Sequence, residues 1–377
     1  MTARTSRDRI FGLDVVRCVA IILVMISHTV LIVAPESEHM VAKVLRLGGV
    51  LGVDIFFVLS GFLIGGILLR YIETNRTSSR HLIYFWIRRW FRTLPNYYLI
   101  LLINIGLGYW VFQNLPNDVW KYFFFFQNAI GPQPDFFLES WSLSIEEFSY
   151  IIGPLLLFLL FSFQMKKERS FLIATLAIIL LGWATRGYYH LHTETIDYHF
   201  WTTNVRKVVL YRIDCIFYGF LAVYLFKKYA THIKNYRWVY FSAGSLLLAV
   251  VHGYLFFAGA DVASEALFFN MAYLPLTGIA FALMIWHMSL IDRSQWSIAR
   301  PILFISILSY ALYLVNYSIV FLLLKKFIWG DTLLDQGILV ILFWSLSLIL
   351  AYLLYRFFEK PVMDLRDGKI AKRFLRN

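Results

Sequence analysis

Residues 11–33 read Phe-Gly-Leu-Asp-Val-Val-Arg-Cys-Val-Ala-Ile-Ile-Leu-Val-Met-Ile-Ser-His-Thr-Val-Leu-Ile-Val. A helix crossing a bilayer core needs about 20 mostly apolar residues, and this run supplies them. Arg4, Arg7 and Arg9 precede it. It is too long for the apolar core of a signal peptide and has no small-x-small cleavage site, so it reads as a retained signal-anchor helix. Asp14, Arg17 and His28 interrupt it. From Arg17 to His28 is eleven residues, which leaves the two about 20° apart on the helical wheel and roughly 16 Å apart along the axis. One helix face thus carries a cation near one end and an imidazole in the other half. The plainer reading makes Arg17 a snorkelling cation and His28 an interhelical hydrogen-bonding residue.

Nine further stretches of similar character follow: 48–69, 94–112, 141–163, 171–189, 208–226, 238–258, 267–288, 301–324 and 338–357. The 377 residues are 60% hydrophobic and 15% charged, against about a quarter charged in soluble chains. This composition excludes a set of soluble domains, disorder and a disulfide scaffold. The expected fold is an all-α polytopic membrane bundle of about ten helices, multi-pass in the cell inner (plasma) membrane. Residues 1–10 form a basic tail, 11–358 the membrane domain and 359–377 a second basic tail. The segments on the side of the termini carry 25 Lys and Arg and the opposite segments 8, which places both termini in the cytoplasm. The net charge of +12 is therefore read as topological bias, with no nucleic acid as a partner. Segment 119–130 is too short to span and is expected to lie at the outer interface or to re-enter the membrane there.

Polar groups inside the spans carry the functional signal. Asp54, in Gly52-Val-Asp-Ile-Phe-Phe-Val-Leu-Ser60-Gly61, is expected at the depth of His28, where a carboxylate can orient an imidazole; the alternative is pairing with another helix. Ser60-Gly61 reads as a close helix contact. Arg88, Arg89 and Arg92 precede the third span, and Arg88 and Arg92 share a helix face. They read either as a phosphate clamp or as topology anchors, with Pro95 in an early turn of the next helix. In Glu139-Ser140-Trp141-Ser142-Leu-Ser144-Ile-Glu146-Glu147, Ser144 and Glu147 fit a capping box, which leaves a second acid entering the membrane unexplained. Arg212 and Asp214 cannot face each other at i, i+2, so each is expected to pair with another helix. Asn316 reads as interhelical hydrogen bonding. The loop His190–His199 lacks the spacing of a metal site, and no metal is expected.

Taken in order, these motifs resemble the acyltransferase family 3 membrane proteins, O-acyltransferases of envelope and other sugars. The resemblance runs from Leu13 to Pro361. It rests on Arg17 with His28, Gly52–Phe62, Arg88–Pro95, Ser140–Phe148, Arg212-Ile-Asp214, Ser309-Tyr310 with Tyr313, and Glu359-Lys-Pro361. It implies transfer from acetyl-CoA or another acyl-CoA, entering from the cytoplasm, to a hydroxyl of a sugar or glycolipid acceptor, with the lipid bilayer as surroundings. Arg17 and His28 are then essential, with His28 as general base and Asp54 or Glu147 steadying its tautomer. Arg88, Arg89 and Arg92 meet the coenzyme A phosphates, and Trp141, Ser142, Glu146, Arg212, Asp214, Tyr313 and Asn316 are expected toward the substrate. Direct transfer and an acyl-histidine relay both remain open. The family commonly has a His at the position of Asn316, and many members carry a further hydrolase-like domain, so a stand-alone type is expected here. A transporter or flippase of a lipid-linked sugar is the rival reading.

Overall fold

The computed structural model describes residues 9–163, 165–257, 262–292, 298–328, 330 and 332–366; the two expected tails therefore lie largely outside the described residues. Among the described residues ten helices are long and apolar enough to cross a membrane: α1 Phe11–Val33, α2 Met40–Glu73, α3 Ser79–Phe112, α4 Ser140–Ser162, α5 Lys167–His192, α6 Val209–Lys228, α7 Arg237–Phe256, α8 Phe268–Met288, α9 Ala299–Phe327 and α10 Leu333–Leu365. Every expected span is present. Among the described residues there is no strand. Side chains such as Leu159, Leu180, Leu246 and Ile341 are exposed on the outside of the bundle, where a soluble protein would not keep them and lipid accepts them.

Several helices run past the apolar windows, because charged residues lower the hydropathy of a helix without breaking it. The largest difference is α3. It begins at Ser79, fifteen residues before the expected 94, so Arg88, Arg89 and Arg92 lie within the helix and Pro95 in its interior. α4 begins at Ser140 with no side-chain cap, so Ser144 and Glu147 do not form a capping box. The last helix continues through 359–365. Glu359 is buried and accepts from Asn96 Nδ2 at 2.8 Å, which puts it in the bundle rather than in a tail.

Glycines set the closest approach in the bundle. A Cβ on Gly61 of α2 would lie 1.9 Å from the carbonyl oxygen of Ile216, and one on Gly219 of α6 would lie 2.2 Å from that of Val58. Small residues let helix backbones meet in this way. Segment 119–130 holds one short helix, Trp120–Phe123, and re-enters the bundle rather than only resting at the interface. Tyr122 and Asn128 are fully buried. Its backbone carbonyls at Tyr122 and Phe123 accept from the Tyr97 and Tyr98 hydroxyls, and those at Asn128 and Ala129 from the Val209 and Leu210 amides. Irregular backbone survives at membrane depth only when its polar groups are satisfied by protein like this.

Candidate active site

One stripe of α9 organises the polar interior. Ser306, Tyr310, Tyr313 and Asn316 follow at helical spacing, and each reaches a different element. Near the end that carries the termini, Ser306 meets Arg17, whose Nη1 donates to Ser306 Oγ at 3.2 Å and to Asp14 Oδ1 at 3.1 Å. Arg9 pairs with the same Asp14. The charges of Arg92, Arg9 and Arg89 act on Arg17 against that of Asp14. One turn on, the Tyr310 hydroxyl donates to the Thr93 carbonyl at 2.8 Å. Thr93, Tyr97, Glu146, Glu147 and Tyr310 gather there around a narrow gap. Tyr313 Oη then lies 2.7 Å from Ser142 Oγ and donates to the Glu139 carbonyl at 3.1 Å.

At the far end of the stripe, His28 Nδ1 lies 2.6 Å from Asn316 Oδ1. The tautomer follows from the neighbours. Asn316 Nδ2 donates to the carbonyls of Leu312 at 2.7 Å and Tyr313 at 3.0 Å. Both amide hydrogens are thus engaged, Oδ1 is the acceptor, and His28 Nδ1 carries the proton. Nε2 keeps its lone pair and has no hydrogen-bond partner among the described residues. The ring is half-buried and 4.8 Å from that of Tyr317. Asn316 opens a π-helical turn, Asn316–Phe321, an irregularity that is frequent at functional sites. Arg17 and His28 therefore do share a face of α1, and that face is turned to α9.

The expected orienting carboxylates are elsewhere. Asp54 is buried in an ion pair with Arg212, and Glu147 accepts from Thr93 Oγ1 at 3.1 Å and Trp90 Nε1 at 3.2 Å. Neither bonds to His28; Asn316 takes that position. Arg212 and Asp214 pair with other helices as their spacing requires, Asp214 through two 2.8 Å bonds from Arg186. Both are fully enclosed and brace α6 against α2 and α5. Arg89 is also engaged inside the bundle, donating to Glu146 at 3.2 Å and to the Tyr150 hydroxyl at 2.6 Å. Glu146 in addition accepts from Ser60 at 3.0 Å. Arg88 and Arg92 are exposed, and Arg92, three residues on from Arg89, lies on nearly the same side of α3. Among the described residues no group of three His, Cys, Asp or Glu could hold a metal ion.

Four polar residues around the far end were not singled out by sequence. Ser318 donates to Glu139 through its amide at 3.2 Å and through its hydroxyl. Burial pushes the Glu139 carboxyl up to about 7, partly opposed by these bonds. Arg206 lies 4.9 Å over the Trp141 ring. Burial, and next to it the charge of Arg206, bring the Lys207 ammonium down to about 8. The available signal for Arg206 and Lys207 was their place among the few basic residues opposite the termini.

Residues 10–356 match the model of a family described as an acyltransferase domain. The chain is 28% identical over 330 residues to the peptidoglycan O-acetyltransferase OatA of Listeria monocytogenes serovar 1/2a, covering 77% of this chain and 50% of that protein. It is 27% identical over 373 residues to the O-acetyltransferase OatA of Staphylococcus aureus strain NCTC 8325, covering 93% of this chain and 57% of that protein. The chain thus spans little more than half the length of the curated relatives it matches. No solved structure matches.

Proposed function

The chain belongs to the acyltransferase family, and on that premise we propose that it moves an acyl group from acyl-coenzyme A to a hydroxyl of a cell-envelope or lipid-linked sugar. Acetyl is the group named for its relatives. The observation that carries this reading is the state of His28: Nδ1 is held as a donor by Asn316 at 2.6 Å, and Nε2 is unpartnered on a half-buried ring. A neutral imidazole fixed in this way is ready to accept a proton.

In this reading both termini are cytoplasmic, in keeping with the basic bias. The donor approaches the end of the bundle where Arg88 and Arg92 are exposed on α3 and meets them with its phosphates. Arg89, engaged by Glu146, braces α3 against α4 instead. Arg17, fixed by Asp14 and Ser306, lines the way inward. From Ser306 to Asn316 the α9 stripe covers ten residues, about 15 Å of helix, a span suited to a thin pantetheine arm. The donor supplies the thioester. His28 Nε2 takes the proton of the acceptor hydroxyl as its oxygen bonds to the thioester carbonyl carbon. The carbon–sulfur bond breaks, and the departing thiolate takes the proton back from His28. Asp54 and Glu147 act through the scaffold, not on the ring.

The test is thioester turnover by purified protein in nanodiscs. His28→Ala is expected to lose about 10²-fold or more, the contribution of a general base, while still folded and still binding donor. Turnover near the wild-type rate would remove His28 from the chemistry.

A further inference from the structure

We propose that Arg206 and Lys207, against the face of Trp141, form a subsite for an anionic group, carboxylate or phosphate, on the acceptor sugar. This rests on the reading of His28 as the base that receives the acceptor hydroxyl. With ten spans, the connection carrying Arg206 and Lys207 lies at the end of the bundle opposite the termini, where basic residues are disfavoured. Topology therefore gives no reason for two of them in succession.

Arg206 is only 4% exposed. Nevertheless it has no carboxylate partner and no hydrogen bond among the described residues, and its Nε is an enclosed, unpartnered donor. The Trp141 ring lies 4.9 Å from its guanidinium carbon. Arg186 and Arg212 also keep an enclosed, unpartnered Nε, but each of them is charge-paired, Arg186 with Asp214 and Arg212 with Asp54. A guanidinium taken out of water without an anion is costly, so an unmatched one beside a second cation marks a place for a negative group. Lys207 is half-buried and makes no ion pair among the described residues; the exposed Asp135 acts on it only at a distance.

A chain of contacts runs from the subsite to His28. Trp141 is followed by Ser142, whose hydroxyl meets Tyr313 at 2.7 Å. The Tyr313 carbonyl accepts from Asn316, which holds His28. The charge of Lys207 also acts on His28. An anion held by Arg206 and Lys207 would bring the sugar that carries it to the end of the α9 stripe where His28 stands. A lipid headgroup is the other source of a phosphate, but headgroups are met by exposed cations, and Arg206 is enclosed.

The experiment measures dissociation constants of methyl β-glucuronide, glucose 6-phosphate and methyl β-glucoside for the full chain in phosphatidylcholine nanodiscs. One or both anionic sugars are expected to bind at least tenfold tighter than the neutral one, since a charge-assisted contact is worth roughly one to two decades. Arg206→Gln and Lys207→Gln should each erase most of that preference. Lys207→Gln, a change at a half-buried side chain, serves if Arg206→Gln does not fold. Equal affinity for all three sugars, or a preference that survives both substitutions, overturns the inference. A preference abolished by replacing the lipid with phosphatidylglycerol assigns the cations to headgroups and overturns it as well. His28→Ala should keep the binding preference while losing turnover, so the subsite and the catalytic reading can fail separately.

Discussion

Asn316→Leu should slow acyl transfer without weakening donor binding. The substitution deletes the 2.6 Å contact with His28 Nδ1 and the two amide donations that fix its direction. One hydrogen bond contributes a net 0.5–1.5 kcal/mol, about two- to twelvefold in the population of oriented rings. A second effect adds to it: with no acceptor opposite Nδ1, the proton can sit on Nε2, where the base must be vacant. The expected outcome is a kcat lower by roughly tenfold or more, with KM for donor changed less than about threefold. Asn316→Asp restores an acceptor but makes it charged. A carboxylate beside an imidazole favours the protonated ring by about 1–3 pKa units, so the acid limb of the rate profile should move up by that amount. The assay is thioester turnover against pH in nanodiscs, with thermal unfolding to verify that each variant is folded. A folded Asn316→Leu protein with wild-type kcat, or an Asp variant whose acid limb stays in place, would refute the assignment of Asn316 as the orienting residue.

Asp214→Asn should destabilise by about 3–5 kcal/mol, because it leaves Arg186 buried and uncompensated, whereas Arg186→Met with Asp214→Leu should cost far less; thermal unfolding of single and double variants distinguishes the two. Glu139 has a folded pKa of about 7, raised from 4.5, so the folded state holds its proton more tightly, and stability present below pH 4.5 is lost as pH rises through 7. Glu139→Gln should remove up to about 3 kcal/mol of that slope, read as unfolding temperature from pH 4.5 to 8. Arg88→Gln with Arg92→Gln should raise KM for acyl-coenzyme A at least tenfold, but much less for a thioester without the nucleotide phosphates. Equal loss for both donors would make these arginines topology anchors. Labelling of tags at both termini should report the cytoplasmic side; a C-terminal tag accessible from outside would invert the orientation.

Much of the fold was legible because a bilayer imposes length and apolarity on every span, and both are one-dimensional properties. The run at residues 11–33 and the nine after it could be read without knowing what they touch. Helix ends were less legible. α3 extends back to Ser79 because Arg88, Arg89 and Arg92 are good helix formers that a hydropathy window rejects. The shared face of Arg17 and His28 followed from helical periodicity, and so did the separate partners of Arg212 and Asp214, since residues two apart point different ways.

What periodicity cannot give is which helix stands opposite. Asp54 and Glu147 had the right chemistry to orient an imidazole, but one faces Arg212 and the other Thr93 and Trp90. The residue that holds His28 is a neutral amide 288 positions away. The sequence by itself determined ten spans, their basic asymmetry and the polar residues buried within them, because the membrane penalises each of these locally. Only the tertiary structure decided the partners. Among the described residues it gave the lone pair of His28 no donor and Arg206 no carboxylate, because pairing depends on which helix faces pack together, and that is fixed by the whole bundle at once.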